Sequence, residues 1–439
     1  MEWWGHLSIM SVGLVVLLAS GLPVAFAFLL VNILSIIFFM EGLSSLNFLI
    51  LSIYDSLASF VYAPVPLFIL MGEIMFRSKM AYRAMDVIEN ILGKMPGRLS
   101  IISVISGTLF ASLTGSAMAN VAMLGSTLTP EMQARGYKKT MSIGPILGSS
   151  GLAIMIPPSS LGVILGSLAF IPIADLLIGG IVPGLLMALG FFLYILIRCI
   201  LDPSLAPIYE RPRASLKNQL EGTIKYILPL GFIIFSVIGL IILGIATPSE
   251  SAAMGALTTA ILAKAYGGLN REVIFRSIMG TCRISIMVLI IIAGAQAFSQ
   301  LLSFTGAARG FVTAVLSLQM PPLLVIASMM IVLLILGCFM EQVCMTMVTV
   351  PLFMPMVNAL GFNPLWFGIL MLITLDVAGI TPPFGLNLFV MKGVAPKGTS
   401  MGDIYKAGFP FILIDIAVLV LLMLVPAIAL WLPGIMVRT

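Results

Sequence analysis

Two short stretches of the sequence combine a pair of prolines with residues that can bind ions. Residues 149–160 read SSGLAIMIPPSS, and residues 376–387 read DVAGITPPFGLN. Two adjacent prolines cannot continue a helix, so each stretch predicts two half-helices with an unwound middle. Carbonyl groups freed at such a break can coordinate Na⁺, and the start of the following half-helix attracts anions. The two stretches therefore predict sites for a cation and for an anionic group.

Each of these features also has a purely structural interpretation. A Ser or Thr in a membrane helix commonly bonds to its own helix, and a lone Pro-Pro doublet is commonly a kink. What favours a binding site is that both stretches follow a long apolar segment that predicts a hairpin. Glu341 and Asp376 lie in apolar surroundings, where a carboxylate is costly, so a functional role is one hypothesis. A position at the end of a hairpin or helix is the other.

The composition predicts an all-α polytopic membrane protein. The chain has 439 residues, of which 60% are hydrophobic and 9% charged, and its mean hydropathy is +1.18. Soluble domains carry about 25% charged residues, because their surface faces water. Apolar stretches of about 18 residues or more recur along the whole chain, and the longest polar stretch, 202–225, is too short to fold separately. The lipid bilayer is therefore the expected surroundings.

Few residues offer other chemistry. His6 is the only histidine, and the four cysteines form no CxxC motif. This pattern argues against zinc chemistry and against histidine catalysis, and no acidic dyad is evident, so we expect no enzyme and no catalytic residue. The net charge of +5 comes from basic residues in loops between apolar segments, so no nucleic acid is expected as a partner.

The sequence repeats itself at an offset of 225 residues. Distinctive positions coincide without gaps: Pro23 with Pro248, Met95-Pro96 with Met320-Pro321, Pro130 with Pro355, Gly136 with Gly361, and Pro157-Pro158 with Pro382-Pro383. Proline marks backbone geometry, because it removes a donor and breaks helices. The pattern predicts two halves, residues 1–214 and 215–439.

Basic residues predict how the first half crosses the membrane. Five of them lie in segment 77–98 and three more in 135–139, so both flanks of the apolar segment between them are expected in the cytoplasm. The economical solution is a re-entrant hairpin at about 99–130 that turns near Thr114-Gly115-Ser116. A broken helix at about 139–170 follows it.

The second half is predicted to be inverted. Its hairpin, at about 323–356, is flanked by Arg309 alone and turns near Glu341-Gln342. It should therefore enter from outside and be followed by a broken helix at about 364–392. The loops 198–225, 264–283 and 392–406 are basic and are expected on the cytoplasmic side.

Several motifs resemble those of one family, the large membrane subunit (DctM type) of tripartite ATP-independent periplasmic, or TRAP, transporters. The resemblance rests on residues 112–117 (SLTGSA), 130–132 (PEM), 136–137 (GY), 156–159 (IPPS) and 381–387 (TPPFGLN). It covers essentially the whole chain, and the paired motifs are specific only when taken together.

The resemblance implies a bacterial inner-membrane subunit that imports an organic acid down a Na⁺ gradient. The acid would come from a periplasmic substrate-binding protein, and a small four-helix membrane subunit would be a second partner. The resemblance further implies an elevator mechanism, in which hairpins and broken helices shift as one block against a scaffold of the other helices.

The resemblance also implies which residues bind Na⁺ and substrate. One Na⁺ site would use Ser112, Ala153, Ile156 and Pro158, and its repeat partner Gly337, Ala378, Thr381 and Phe384. Substrate would lie between the hairpin tips, near Thr114, Gly115, Ser116, Glu341 and Asn387. Only Ser112 and Thr381 offer side-chain oxygens to Na⁺. Family members often carry Asp at the second tip, where this chain has Glu341-Gln342.

Other functions stay open at this point. A stand-alone carrier of similar hairpin architecture, such as a Na⁺/dicarboxylate symporter or an anion antiporter, would need no binding protein. A membrane-embedded enzyme and a passive channel are weaker alternatives. Sialic acids, C4-dicarboxylates, other sugar acids and ectoine-like zwitterions would all fit a polar cavity at the membrane centre. No arginine is expected within the membrane, so half-helix N-termini and hydroxyl groups are the expected partners of the anion.

Overall fold

The apolar segments of the sequence form helices throughout the part of the chain that the structure describes. The computed structural model describes residues 2–40, 42–78, 80, 85, 87–89, 91, 95–114, 116–207, 216–337 and 340–436. For residues 19, 43, 44, 111–114 and 216–218 it describes the backbone only. No β-strand occurs among the described residues, as a chain of membrane-spanning helices requires.

The first half contains ten α-helices within these ranges. They are α1 Trp3–Ala19, α2 Val24–Phe39, α3 Leu46–Leu57, α4 Pro64–Arg77, α5 Arg98–Thr114, α6 Ala117–Ala134, α7 Lys139–Met155, α8 Ser160–Leu168, α9 Ile173–Gly179 and α10 Ile181–Leu201. Short 3₁₀ turns at Gly42–Ser45, Phe60–Tyr62 and Pro203–Leu205 connect some of them.

The second half contains ten more helical segments. They are α11 Gln219–Ile242, α12 Pro248–Ala265, α13 Arg271–Phe304, α14 Ala307–Ser317, α15 Pro322–Gly337, α16 Gln342–Ala359, α17 Pro364–Ile380, α18 Leu386–Val394, α19 Met401–Leu424 and α20 Ala427–Gly434. Segment α11 includes two π-helical turns, Thr223–Ile227 and Phe235–Gly239.

Six of the described helical segments are long and apolar enough to cross a membrane, and α7 with α8 makes a seventh if the bent pair is one span. Several shorter helices are also apolar, and many large apolar side chains are exposed. Such a surface is stable against lipid tails and costly against water.

Several helices begin with side-chain caps. Thr247 and Ser400 form capping boxes at the starts of α12 and α19, and Asn270 caps α13. A cap satisfies backbone N–H groups that the first turn leaves unpaired, so these residues fix where each helix begins.

The helices pack as two groups. One group consists of α2, α3, α4, α11, α12 and α13, with α4 packed between α12 and α13. The other consists of α5 to α10 and α15 to α20, with α7 at its centre in contact with α5, α6, α17 and α19. The groups meet where α4 contacts α5 and α8, and where α13 contacts α8 and α16. Helices α1 and α14 lie outside both groups, and α14 contacts α13 and α16. We call the first group the scaffold group and the second the core group.

Loops rich in basic residues meet at one end of the molecule. Lys138 donates to the Ser204 hydroxyl at 3.0 Å, and Lys139 pairs with Asp403 at 2.8 Å. Gly268, between α12 and α13, packs directly on Ser78 after α4. These contacts gather the loops that the charge pattern assigns to the cytoplasm.

Helix bounds recur at the 225-residue offset. The bounds of α16 and α17 are those of α6 and α7 shifted by 225 residues. The turn after α6 contains Gly136 with φ of +83°, and the turn after α16 contains Gly361 with φ of +74°. Glycine adopts this left-handed conformation without steric cost, which explains why both turns carry it.

Candidate functional site

Both Pro-Pro doublets interrupt a helix. Helix α7 ends at Met155 and α8 begins at Ser160, with a bend of 45° between them. Helix α17 ends at Ile380 and α18 begins at Leu386. The two doublets lie in these breaks, because proline cannot donate the hydrogen bond that the helix would need there.

The first predicted Na⁺ set is only partly described. Ala153 is fully buried in the last turn of α7, and Ile156 follows it with extended backbone. Pro158 is also buried. Ser112 lies on α5, and its side chain falls outside the described residues.

Glycine holds this unwound segment against the neighbouring helices. A Cβ atom on Gly180, between α9 and α10, would stand 2.3 Å from the carbonyl oxygen of Met155. A Cβ on Gly184 would stand 2.7 Å from the Ile156 side chain. A larger residue at Gly180 would require the backbone to move, and one at Gly184 would require the Ile156 side chain to move, so the two glycines allow the close approach.

The structure brings residues of the second predicted Na⁺ site close together. Gly337, at the end of α15, packs so closely on α17 that a Cβ there would stand 2.2 Å from the Cβ of Ala378. Thr381 follows α17 and donates its hydroxyl to the Val377 carbonyl at 2.6 Å, which leaves the hydroxyl oxygen able to accept or to coordinate. The Phe384 side chain is half exposed and stacks on Phe389, so only its backbone can serve this site.

At both hairpin tips a side chain caps the second helix, and the two caps differ in chemistry. Ser116 caps α6, and its hydroxyl accepts a hydrogen bond from Ala119 N at 3.3 Å. Glu341 caps α16, and its carboxylate accepts from Val343 N at 3.0 Å. Thr114 ends α5 with its side chain outside the described residues, and Gly115 lies outside them altogether.

A cavity of about 360 Å³, which we call the central cavity, lies between the two helix groups. Helices α4 and α13 of the scaffold group form one wall, and the starts of α6, α8 and α16 form the other. Ser116 and Glu341 both line it, so the structure brings one predicted substrate residue from each tip to the same space. Most of the remaining lining is apolar.

Asn387 does not line this cavity. It lies near the start of α18, beside a narrow cleft that it shares with Glu341 and Gln342. Its side chain is buried, and its amide nitrogen has no hydrogen-bond partner among the described residues. Gln342 donates to the Leu375 carbonyl at 3.0 Å, which ties the second tip to α17.

Arg77 is a residue that the sequence analysis missed. The sequence analysis counted it only among the basic residues of segment 77–98, whereas in the structure Arg77 is the last residue of α4 and lines the central cavity. Its Nε donates to the Glu73 carboxylate at 2.6 Å. The spacing of Glu73 and Arg77, four residues apart, is typical of an ion pair on a helix and was the available signal.

Asp376 lies deep in the core group rather than at the cavity. Its carboxylate rests directly on the backbone of α7, where a Cβ on Gly151 would stand 1.6 Å from Oδ1. Asp376 and Asp415 of α19 are both fully buried, and neither carboxylate has a hydrogen-bond partner among the described residues. A role for Asp376 at a helix end is wrong, since α17 continues to Ile380.

Comparison with known proteins identifies the family. Residues 11–428 match the profile of the tripartite ATP-independent periplasmic transporter, DctM component. The chain belongs to this family. The match spans both hairpins and both broken helices, so the resemblance that the motifs suggested is confirmed.

Curated relatives of the family differ in the substrate that their names state. The chain is 31% identical to the C4-dicarboxylate TRAP transporter large permease protein DctM of Pseudomonas aeruginosa, over 89% of this chain and 90% of that protein. It is 29% identical to the ectoine TRAP transporter large permease protein TeaC of Halomonas elongata, over 98% of this chain and 100% of that protein. It is also 29% identical to the isethionate TRAP transporter permease protein DctMQ of Oleidesulfovibrio alaskensis, over 95% and 65%.

Solved structures share the fold at low sequence identity. The YdaH transporter of Alcanivorax borkumensis superposes with a TM-score of 0.62 at 13% identity, over 87% of this chain and 89% of that one. MtrF of Neisseria gonorrhoeae superposes with a TM-score of 0.61 at 14% identity, over 87% of this chain and 84% of that one. The chain is therefore a transport protein of the bacterial inner membrane and not an enzyme.

Proposed function

We propose that this chain is the permease subunit that imports a small organic acid together with Na⁺. A periplasmic binding protein would deliver the acid, and a small four-helix membrane subunit would complete the transporter. The observation that carries the proposal is the central cavity, which Ser116 and Glu341 line from the two hairpin tips. The family membership supports the partners, since the family is named as a tripartite periplasmic transporter.

The broken helices support Na⁺ as the coupling ion. Gly337 packs on Ala378, and the Thr381 hydroxyl follows within the same unwound segment. A Cβ on Gly385 would stand 2.6 Å from the Gly379 carbonyl oxygen and 2.9 Å from that of Thr381, so backbone oxygens gather at the break. Hard cations such as Na⁺ prefer sets of this kind, made of carbonyl and hydroxyl oxygens.

The packing supports an elevator movement. The core group contains both hairpins and both broken helices, and it contacts the scaffold group through few helix pairs. We infer that the core group moves as a block and carries the tips and their ligand past α4 and α13. Lys139 of α7 and Asp403 of α19 pair at 2.8 Å, which ties the two halves within that block.

An inverted relation of the two halves is supported by one contact. Gly151 and Asp376 are equivalent positions at the 225-residue offset, and they touch each other. A residue that contacts its own counterpart lies on the axis that relates two halves. Together with the charge pattern of the loops, this contact supports a two-fold axis through the crossing of α7 and α17.

Transport in proteoliposomes tests the proposal. The binding protein is first screened by thermal shift against sugar acids, C4-dicarboxylates and ectoine, and the acid that stabilises it is used radiolabelled. We expect uptake only when the chain, the small subunit and the loaded binding protein are all present and Na⁺ is outside. Uptake that persists with choline in place of Na⁺ contradicts Na⁺ coupling, and uptake without the binding protein favours the stand-alone carrier.

A further inference from the structure

The central cavity has an uneven distribution of charge. Among the described residues, its charged lining consists of Glu73 and Arg77 on α4 and of Glu341 at the second hairpin tip. Among the described lining residues, Arg77 is therefore the only one with a basic side chain, and it belongs to the scaffold group. Glu341 belongs to the core group, so the two charges approach the cavity from opposite walls.

The Arg77 guanidinium is held in place by one ion pair, which occupies only one of its nitrogen atoms. Its Nε donates to Glu73, and no other hydrogen-bond or ion-pair partner of Arg77 is present among the described residues. Glu73 is itself confined, because a Cβ on Gly280 of α13 would stand 2.8 Å from its carboxyl carbon. A guanidinium has five N–H donors in a fixed fork, so both terminal nitrogens can still bind an oxyanion.

The opposite wall adds weak positive potential. Helix α6 begins behind its Ser116 cap, and α8 begins at Ser160, which also lines the cavity. Helix N-termini carry a partial positive charge that favours anions. The arginine, which is a full charge with directed donors, decides where the anionic group binds.

Glu341 limits what the rest of the substrate can be. Its carboxylate takes a hydrogen bond from Val343 N and still lines the cavity, so any group beside it meets a negative acceptor. A second carboxylate there would be repelled, whereas hydroxyl, amide or ammonium groups would donate to it. Like charges brought together at a binding interface repel each other and weaken binding.

We propose that Arg77 is the receptor for the single anionic group of the substrate and that Glu341 selects against a second one. The substrate class is then a monoanionic or zwitterionic organic acid that carries hydrogen-bond donors, and not a dicarboxylate. This inference rests on the proposed function, because it assigns the substrate class of the same cavity.

Ligand binding to the purified complex of this chain and its small subunit tests the inference. The midpoint of thermal unfolding is followed in NaCl with gluconate, isethionate or succinate as probes, and apparent affinities are obtained from the concentration dependence. We expect gluconate or isethionate to bind at least about tenfold more tightly than succinate. Arg77→Gln should weaken that binding at least about tenfold, as the loss of a charge-assisted contact requires.

The chain provides a matched control. Arg276 pairs with Glu272 at 2.5 Å with the same four-residue spacing, but both side chains are well exposed on α13. Arg276→Gln should leave the affinity for all three probes unchanged. Glu73→Gln should tighten gluconate binding several-fold, because it removes the carboxylate that competes for Arg77.

A single elution peak on size-exclusion chromatography and the wild-type midpoint of thermal unfolding without probe serve as the fold control for every variant. Arg77→Gln that meets this control and loses gluconate binding supports the inference. Wild-type affinity for gluconate in Arg77→Gln, tighter binding of succinate than of both monoanions, or no stabilisation by any probe would each overturn it. Absence of Na⁺-dependent uptake with the Arg77 effect intact would instead contradict the proposed function alone.

Discussion

Ser116 and Glu341 occupy equivalent positions in the two halves, yet they give the two hairpin tips opposite chemical character. Each residue is the N-cap of the second hairpin helix, and each accepts a hydrogen bond from a backbone N–H of the first turn. One does so with a neutral hydroxyl and the other with a carboxylate. The repeat therefore keeps a side-chain N-cap at each tip, while the electrostatics of the two caps differ.

The same contrast occurs where the halves cross. Gly151 of α7 and Asp376 of α17 are equivalent, and the carboxylate of one occupies the space that the missing side chain of the other leaves. Ile156 and Thr381 are equivalent as well, and only the latter has a side-chain oxygen. At these two positions the polar side chain belongs to the second half, whereas Ser150, Ser159 and Ser160 of the first half correspond to Leu375, Phe384 and Gly385.

The largest effect is expected at the crossing. Gly151→Ala would place a methyl group within 2 Å of three atoms of the Asp376 carboxyl group. Asp376 is fully buried, so its side chain cannot move aside into open space. We expect a destabilisation of about 3 kcal/mol or more. Size-exclusion chromatography and thermal unfolding of the purified complex measure it.

A matched substitution separates this clash from a general effect of alanine. Gly231 also lies in a helix, and a Cβ there would meet nothing within 4 Å. Gly231→Ala should therefore be neutral or slightly stabilising, because alanine favours helix over glycine. Normal folding of Gly151→Ala would show that α7 and α17 do not cross as described.

The next effect distinguishes the two broken helices. Thr381→Ala removes a hydroxyl oxygen from the proposed second Na⁺ site, so the Na⁺ concentration for half-maximal uptake should rise about tenfold. Ile156→Val at the equivalent position changes no oxygen and should leave that concentration unaltered. Equal behaviour of the two variants in proteoliposomes would remove the proposed difference between the sites.

A smaller effect is expected at the second tip. Glu341→Gln keeps a side chain that can accept from Val343 N and removes its charge. Apparent affinity for succinate should improve several-fold relative to gluconate, since the repulsion of a second carboxylate is lost. An unchanged ratio, measured by thermal shift on the complex, would mean that the charge difference between the tips does not select substrate.

The smallest effect concerns the start of a half-helix. Ser159 caps α8 and accepts from Gly162 N at 3.0 Å, whereas Gly385 precedes α18 with no side-chain cap. Ser159→Ala should cost about 1 kcal/mol of stability, which is typical of a lost N-cap. Gly385→Ser should not compensate at the other break, because a Cβ there would stand 2.6 Å from the Gly379 carbonyl oxygen.

Local sequence signals were enough to place the helix breaks and tips. Proline ends helices for covalent reasons, so the ends of α7 and α17 follow from Pro157 and Pro382 without knowledge of the fold. The hairpin turns near Ser116 and Glu341 follow likewise from long apolar segments whose middle is polar.

Contacts between distant helices could not be predicted in this way. The meeting of Gly151 with Asp376 depends on which faces α7 and α17 present to each other, and no local pattern states this. Arg77 was counted with the basic segment 77–98 because a basic residue at the end of an apolar segment is typical of a loop. In the structure it ends α4, pairs with Glu73 and lines the cavity.

The glycine and aspartate at the crossing also bear on how such a chain could arise. A dimer of two identical half-length chains would have to place the same residue on both sides of its axis. Two aspartates would collide there, and two glycines would leave a hollow. Two halves whose sequences change independently can keep one of each. The contact of Gly151 with Asp376 thus requires that the two sequences differ at this position.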